Sequence, residues 1–227
     1  MTTITITCAD GFELPALYVP STQPNATPLV LIQEIFGINA SLRLAAQQWA
    51  ELGFDVVVPD LFARLEKDVQ LDPAVPEQMQ AGFKLMTQLN QDLAVQDLEA
   101  ARQWLAKEKA TDRVTTLGYC LGGRLAVRMA LETPISAAVS YYGVGLNELL
   151  AKSQQPGSPC LLHIAEKDGF VPPPAREDIL KFVDQRENFE AYVYEGCDHA
   201  FARPNGQHYV AAAADLAKER SVAFLKG

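Results

Sequence analysis

Short apolar runs rich in β-branched residues alternate along the chain with longer segments of helical periodicity. The runs predicted as strands are Thr3–Thr7, Leu14–Val19, Leu29–Ile32, Phe54–Val58, Val114–Leu117, Ser136–Tyr141, Cys160–Ala165 and Ala191–Tyr194. The predicted helices are Ala40–Leu52, Glu77–Lys107 with a break near Asn90–Asp92, Leu121–Leu131, Ala175–Asp184 and Val210–Leu225. This alternation predicts an α/β fold, with a mostly parallel central sheet and helices on both faces.

No internal repeat, low-complexity tract or long linker divides the chain, so we expect one domain over residues 1–227. The chain carries 19 Lys and Arg against 28 Asp and Glu, a formal net charge of −9. That charge, without a basic cluster, argues against nucleic-acid binding. The sequence has no signal-peptide pattern and no apolar stretch of membrane-spanning length, which predicts a cytoplasmic protein without membrane association. Its four cysteines lack metal-site spacing, so we expect no bound metal. In a cytoplasmic protein we expect these thiols to be reduced.

The segment GYCLGG, residues 118–123, carries the most informative chemistry. It follows an apolar strand and precedes a helix, which is the context of a nucleophile elbow with Cys120 as the nucleophile. The neighbouring glycines leave room for the tight turn. The helix that starts at Leu121 favours a thiolate, and the Leu121 N–H is a candidate oxyanion donor. The alternative is a glycine-rich turn around a buried, unreactive thiol.

A histidine and a carboxylate each follow a later strand. His199 lies in EGCDHAF, and Asp168 lies in AEKDGFVP, where Glu166 is the rival carboxylate. His163 lies within an apolar strand and is interpreted as a core histidine, whereas His208 is expected at the surface, at the start of the last helix. The order Cys120, Asp168, His199 matches the nucleophile–acid–histidine order of α/β-hydrolases and predicts a catalytic triad.

The segment QEIFG, residues 33–37, follows the strand LVLI, where α/β-hydrolases place their second oxyanion N–H. We assign that N–H to Ile35. The carboxylate of Glu34 would oppose a developing anion, so Glu34 needs either a cationic partner, for which Arg203 is the candidate, or a special role. The alternative is an acid on a surface loop.

From end to end the sequence resembles the dienelactone hydrolase (carboxymethylenebutenolidase) family. The matching segments are QEIFG (33–37), PDLFAR (59–64), GYCLGG (118–123), YYGVGL (141–146), KDGFVP (167–172), DHAFARP (198–204) and YVAAAADLAKERSVAFL (209–225). The resemblance implies the α/β-hydrolase fold and a cofactor-free hydrolase that opens an unsaturated lactone, dienelactone, to maleylacetate in chloroaromatic degradation.

The resemblance also implies roles for individual residues. Cys120, His199 and Asp168 match the family's triad, and catalysis proceeds through an acyl-enzyme. Glu34 matches a glutamate that activates the thiol when substrate displaces it from arginine contacts. Arg203 matches the arginine that pairs with this glutamate and binds the substrate carboxylate. Within the matching segment QEIFG, Phe36 is expected to contact the substrate.

One departure from the family concerns the substrate pocket. Aligned without gaps, the family's second carboxylate-binding arginine falls at Met79 and its pocket tyrosine at Phe83. Losing a buried charge contact costs on the order of 2–5 kcal/mol. We therefore expect weak dienelactone activity and a preference for a less acidic or more apolar substrate.

Three other functions stay open at this point. The chain could be a carboxylesterase or thioesterase that accepts no butenolide. The sequence is divided on this point, because Arg203 favours an anionic substrate whereas Met79 and Phe83 favour an apolar one. It could be a non-catalytic ligand-binding member of the fold. It could also be a thiol redox protein, if Cys120 and Cys197 lie close together.

Overall fold

The structure, a computed structural model, describes all residues from Met1 to Gly227. Its strands are β1 (Thr2–Thr7), β2 (Glu13–Val19), β3 (Thr27–Ile32), β4 (Phe54–Pro59), β5 (Thr115–Tyr119), β6 (Ala138–Tyr141), β7 (Cys160–Ala165) and β8 (Phe189–Tyr194). Its helices are α1 (Ala40–Glu51), α2 (Pro76–Gln88), α3 (Gln91–Glu108), α4 (Leu121–Glu132), α5 (Leu146–Lys152), α6 (Pro173–Asp184) and α7 (Ala211–Lys226).

The chain falls into two compact units, Met1–Thr115 and Thr116–Gly227. In the first unit the strand order is β1-β2-β4-β3, with antiparallel pairing of β1 with β2 and of β2 with β4, and parallel pairing of β3 with β4. In the second unit the order is β5-β6-β7-β8 and every pair is parallel. Pairing is therefore mostly parallel, as predicted. A single domain over residues 1–227 stays a prediction.

The first unit begins with the predicted hairpin. Gly11 adopts a φ of 81°, and the Asp10 carboxylate accepts a hydrogen bond from the Phe12 N–H at 3.0 Å, which closes the turn. Arg64, from the segment PDLFAR, binds this turn through Asp10 at 2.8 Å and α3 through Asp97 at 2.7 Å. The sequence PDLFAR thus has a structural use, because its arginine ties the hairpin to a helix.

The core of the first unit lies around β3 and β4, whose apolar side chains are fully buried. Helix α1 packs against β4 with the apolar face that its periodicity predicts, and its Trp49 ring meets the Phe54 ring edge-on at 5.4 Å. The side chain of Asn39 caps α1 by accepting the Leu42 N–H. The predicted break in the long helical segment is also present, because Asn90 ends the linker after α2 and caps α3.

The core of the second unit lies around β5, β6 and β7, which are buried along their whole length. His163 on β7 is a core residue, as interpreted from the sequence. Its ring nitrogens contact the Tyr194 hydroxyl at 2.8 Å and the Ser221 hydroxyl at 2.9 Å. Burial and the nearby Arg220 charge lower the pKa of His163 to about 3, so this imidazole is neutral in the folded protein.

Two local features differ from the sequence predictions. Helix α5 was not predicted, because its seven residues are too few to establish a helical period. His208 is exposed, as expected, but it precedes the last helix, which begins at Ala211. No helix combines the length and the apolar character needed to cross a membrane.

Candidate active site

Cys120 sits at the turn between β5 and α4 in a left-handed backbone conformation, with φ 57° and ψ −116°. L-residues rarely adopt this conformation, so the surrounding structure must hold it. The Cys120 N–H donates to the Tyr141 carbonyl at 3.0 Å, and the Cys120 carbonyl accepts from the N–H groups of Arg124 at 3.2 Å and Val144 at 3.4 Å. The end of β6 and the loop after it therefore hold the Cys120 backbone from both sides.

The glycines around Cys120 are sterically required. A Cβ added at Gly118 would lie 2.0 Å from the Gly122 carbonyl oxygen. A Cβ added at Gly123 would lie 2.8 Å from Ser140 Oγ and 2.9 Å from the Tyr141 carbonyl oxygen. The turn thus packs against its own helix and against β6 too closely for any side chain, which agrees with the steric interpretation of GYCLGG.

Asp168 and His199, from the loops after β7 and β8, are in direct contact. His199 Nδ1 lies 2.7 Å from Asp168 Oδ2, and both residues are buried. The other carboxylate oxygen, Asp168 Oδ1, accepts the Phe170 N–H at 2.8 Å. Because the carboxylate engages Nδ1, the proton on that nitrogen is fixed, and Nε2 is left to exchange a proton with another group.

Glu166, the rival carboxylate, is engaged elsewhere. Its side chain accepts the Gly196 N–H at 2.7 Å, and its carbonyl accepts from Arg176. The structure therefore pairs His199 with Asp168, two residues further along the same loop.

The charge state of His199 depends on both neighbours. Burial by itself would lower the pKa of His199. The negative charge of the Cys120 thiolate and the hydrogen bonds with Asp168 and Cys120 outweigh that effect and raise the pKa to about 10. A cationic imidazole is the kind of neighbour that stabilises a thiolate.

Two aromatic rings that sequence reasoning did not single out flank His199. The Tyr142 ring lies 5.1 Å from the imidazole and the Phe170 ring 4.8 Å, both edge-on. Tyr142 is buried and also has a left-handed backbone, with φ 39°. Both residues occur in segments that match the family, YYGVGL and KDGFVP, and that match was the only sequence signal for them.

The second unit also contains two further predicted site residues. Leu121 is the first residue of α4, so its N–H has no partner within the helix. Arg203 lies in a turn after His199, where its N–H donates to the Ala200 carbonyl and its carbonyl accepts the Gly206 N–H, both at 3.0 Å. All four cysteines, including the buried Cys197, are free thiols.

The remaining predicted residues belong to the first unit. Glu34, Ile35 and Phe36 directly follow β3 and are buried. The segment packs closely on α2, because a Cβ added at Gly82 would lie 2.7 Å from the Ile35 carbonyl oxygen. Glu34 is thus not an acid on a surface loop.

Met79 and Phe83 are both half-buried on α2. Their spacing of four residues places them on one face of the helix, next to each other. The two apolar replacements identified in the sequence are therefore neighbours in the structure.

Comparison with known proteins places this geometry in context. Residues 14–227 match the model of the dienelactone hydrolase family. A protein of Azospirillum brasilense is 40% identical over 227 residues, covering 100% of this chain and 98% of that protein. A carboxymethylenebutenolidase of Pseudomonas putida is 37% identical over 223 residues, covering 98% and 94%.

Solved structures bear on the fold. A crystal structure of a Klebsiella pneumoniae protein superposes with a TM-score of 0.83 at 21% identity, covering 99% of this chain and 97% of that one. The dienelactone hydrolase of Anabaena variabilis superposes with a TM-score of 0.72 at 16% identity, covering 99% and 96%. The predicted α/β-hydrolase fold is confirmed.

Proposed function

Since the chain belongs to the dienelactone hydrolase family and is a carboxylic ester hydrolase, we propose that it opens an unsaturated lactone, dienelactone, to maleylacetate, or cleaves a related ester, with Cys120 as the nucleophile. The observation that carries the proposal is the contact of 2.7 Å between His199 and the buried Asp168, in the same unit as a cysteine held in a left-handed turn. A structural thiol needs neither the strained backbone nor the charged imidazole.

In the first half-reaction the Cys120 thiolate attacks the carbonyl carbon of the substrate. An S–C bond forms, and the electron pair of the C=O double bond moves to oxygen, where the Leu121 N–H stabilises the charge. When the carbonyl re-forms, the C–O bond to the leaving group breaks. His199 then donates its Nε2 proton to the departing oxygen, while Asp168 keeps the proton on Nδ1 in place.

In the second half-reaction water clears the acyl-enzyme. His199, now neutral, takes a proton from water through Nε2, and the resulting hydroxide attacks the thioester carbon. Collapse of this intermediate breaks the S–C bond, returns the thiolate of Cys120 beside the imidazolium and releases the carboxylic acid product. No metal or organic cofactor takes part in this scheme.

Residues of the first unit enter the proposal through the family resemblance. The Ile35 N–H serves as the second oxyanion donor, and Phe36 contacts the substrate. Glu34 activates the thiol when substrate binds, and Arg203 of the second unit binds the substrate carboxylate. The buried position of Glu34 supports a special role, because burying a carboxylate costs free energy and few glutamates are buried in proteins.

A direct test follows the loss of dienelactone ultraviolet absorbance. Cys120→Ala should lower kcat/KM at least about a thousandfold, while the circular dichroism spectrum stays unchanged. Cys160→Ala, which removes a fully buried thiol from β7, is the matched control and should retain the rate once its fold is verified. Equal, measurable rates in Cys120→Ala and wild type would exclude the cysteine mechanism. Absence of turnover by the wild type would favour the esterase or the non-catalytic alternative.

A second candidate function, an esterase or thioesterase of different specificity, is favoured by one observation. Met79 and Phe83 form a neighbouring apolar pair where the family carries an arginine and a tyrosine. Met79→Arg should therefore raise kcat/KM for dienelactone and lower it for neutral aryl esters, and Met79→Leu is the control for side-chain size. If Met79→Arg leaves dienelactone turnover unchanged, the apolar pair does not set the substrate preference.

A further inference from the structure

Phe170 is a large apolar side chain that stays open to solvent beside the catalytic imidazole. Its residue surface is 53% exposed, and its ring centre lies 4.8 Å from that of His199, edge-on at 67°. Exposing a phenyl ring to water forgoes the free energy that its burial would supply. An open aromatic ring in direct contact with a buried catalytic residue therefore points to a binding role.

The position of Phe170 is fixed rather than left to a loose loop. Its N–H donates to Asp168 Oδ1 at 2.8 Å, so one carboxylate holds both the Phe170 backbone and the His199 ring. On its other side, Val171 is buried and its N–H donates to the Asp168 carbonyl at 3.1 Å. The turn from Asp168 to Val171 thus presents the Phe170 ring at a set distance from the imidazole.

Tyr142 provides an internal comparison. Its ring also contacts His199, at 5.1 Å, but the residue is only 2% exposed and packs against Phe201 at 5.7 Å. Tyr142 therefore already packs on the imidazole from the interior. A second ring that served only to support His199 would gain stability by being buried as well.

The proposed chemistry determines which part of a substrate meets Phe170. Because Asp168 occupies Nδ1, the leaving oxygen must approach Nε2 within about 3 Å to receive its proton. The carbon atoms attached to that oxygen then lie beside the imidazole, on which the Phe170 ring packs. The acyl carbon is instead bonded to Cys120 Sγ, so the acyl group extends from the nucleophile rather than from the histidine.

We propose that Phe170 is a specificity-determining residue that binds the leaving group of the substrate and selects leaving groups that are flat and conjugated. This inference rests on the proposed function. Flat π systems pack on an aromatic ring in offset or edge-on arrangements, and saturated chains gain less from such contacts. The enolate side of an opened unsaturated lactone, and the phenolate of an aryl ester, both have this shape.

The experiment compares esters that differ only in the leaving group or only in the acyl group. The first pair is phenyl acetate and ethyl acetate, and the second pair is methyl acetate and methyl benzoate. The measured quantity is kcat/KM, because it reports the steps up to and including loss of the leaving group. Phe170→Ala should lower kcat/KM about tenfold for phenyl acetate and leave the other three esters within about twofold, with Phe170→Leu intermediate.

Tyr209→Ala is the matched control, since Tyr209 is an exposed aromatic residue of the same unit outside the proposed site. This variant should keep all four rates. Alkylation of Cys120 by iodoacetamide as a function of pH is the second readout, and Phe170→Ala should leave that pH profile unchanged.

Three results would overturn the assignment. An equal loss for all four esters, with a shifted alkylation profile, would mean that Phe170 only supports His199. Unchanged rates for phenyl acetate would mean that the ring does not touch the leaving group. If Cys120→Ala keeps wild-type rates on all four esters, the proposed function itself fails and the assignment of Phe170 fails with it. If the rates depend on Cys120 but Phe170→Ala has no selective effect, only the assignment of Phe170 fails.

Discussion

Acidification should destabilise this protein through His163, a residue outside the proposed site. Its pKa is about 3 in the folded protein and about 6.5 in a solvated histidine. Between these two values the unfolded chain binds a proton that the folded protein does not. The unfolded state is therefore favoured increasingly as the pH falls below 6.5, and the stability contributed by neutral His163 is lost in that direction.

The size of the effect follows from the same two pKa values. Each pH unit below 6.5 shifts the unfolding equilibrium by about 1.4 kcal/mol for one proton. Moving from pH 7 to pH 5 covers about 1.5 such units and costs about 2 kcal/mol, which is a large part of the net stability of a typical domain. The folded protein resists protonation because the His163 ring is fully buried and lies near the positive charge of Arg220.

Urea unfolding at pH 7 and pH 5 measures the effect, with His163→Gln as the test variant. Glutamine offers polar groups to the same two hydroxyls but does not titrate, so the variant should lose about 2 kcal/mol less than wild type between the two pH values. His208→Gln, at an exposed histidine, should show the wild-type loss. Comparing losses rather than absolute stabilities removes the cost of the substitution and the contributions of other titrating groups common to both proteins.

The reasoning fails if His163→Gln and wild type lose the same free energy between pH 7 and pH 5. That result would mean that His163 is already accessible to protons in the folded protein. A loss confined to wild type and absent from His208→Gln would instead assign the effect to the exposed histidine.

Three further predictions concern the second unit. The pKa of His199 is raised to about 10, so the stability that protonated His199 gives the folded protein is present below pH 6.5 and is lost as the pH rises toward 10. The unfolding free energy should therefore fall from pH 7 to pH 9 in wild type, and should fall less in His199→Gln. Gly123→Ala should lower the unfolding free energy in urea by about 1–3 kcal/mol, because the added Cβ would meet backbone atoms and Ser140 Oγ. Gly169→Ala, whose added Cβ would lie in open space, should change it by no more than about 0.5 kcal/mol. Equal losses in the two variants would contradict the packing argument. Ser140 Oγ is buried without a hydrogen-bond partner, so Ser140→Ala should leave the midpoint of thermal unfolding unchanged or raise it. Ser221→Ala removes a hydroxyl that is hydrogen-bonded to three groups and should lower the midpoint. The reverse order of the two midpoints would refute the hydrogen-bond assignment.

The sequence was most informative where local pattern decides the structure. The continuous apolar run Cys160–Ala165 is a strand with the predicted bounds, and the helix face around Trp49 is buried as its period indicates. Helix α5 was not predicted, because seven residues are too few to show a helical period of apolar positions. The tight turn at GYCLGG could also be predicted, because its glycines indicate a backbone too closely packed for side chains.

The candidate site could be predicted only in part from the sequence, because its contacts join residues that are far apart along the chain. Sequence order favoured Asp168, but the choice over Glu166 depends on which side chain faces His199, and that depends on the backbone path of one loop. The roles of Phe170 and Tyr142 arise only where the loops after β6, β7 and β8 converge on one imidazole. No local pattern contains that information.

The left-handed backbone at Cys120 limits which side chains this turn can carry. A φ of 57° leaves no room for the second substituent on a branched Cβ, so threonine is disfavoured there. Cysteine and serine both have a single Cγ-position atom and differ by one nucleotide in the genetic code. Exchange of cysteine for serine is therefore a single mutational step on an unchanged backbone, whereas a β-branched residue at this position would require the turn to change.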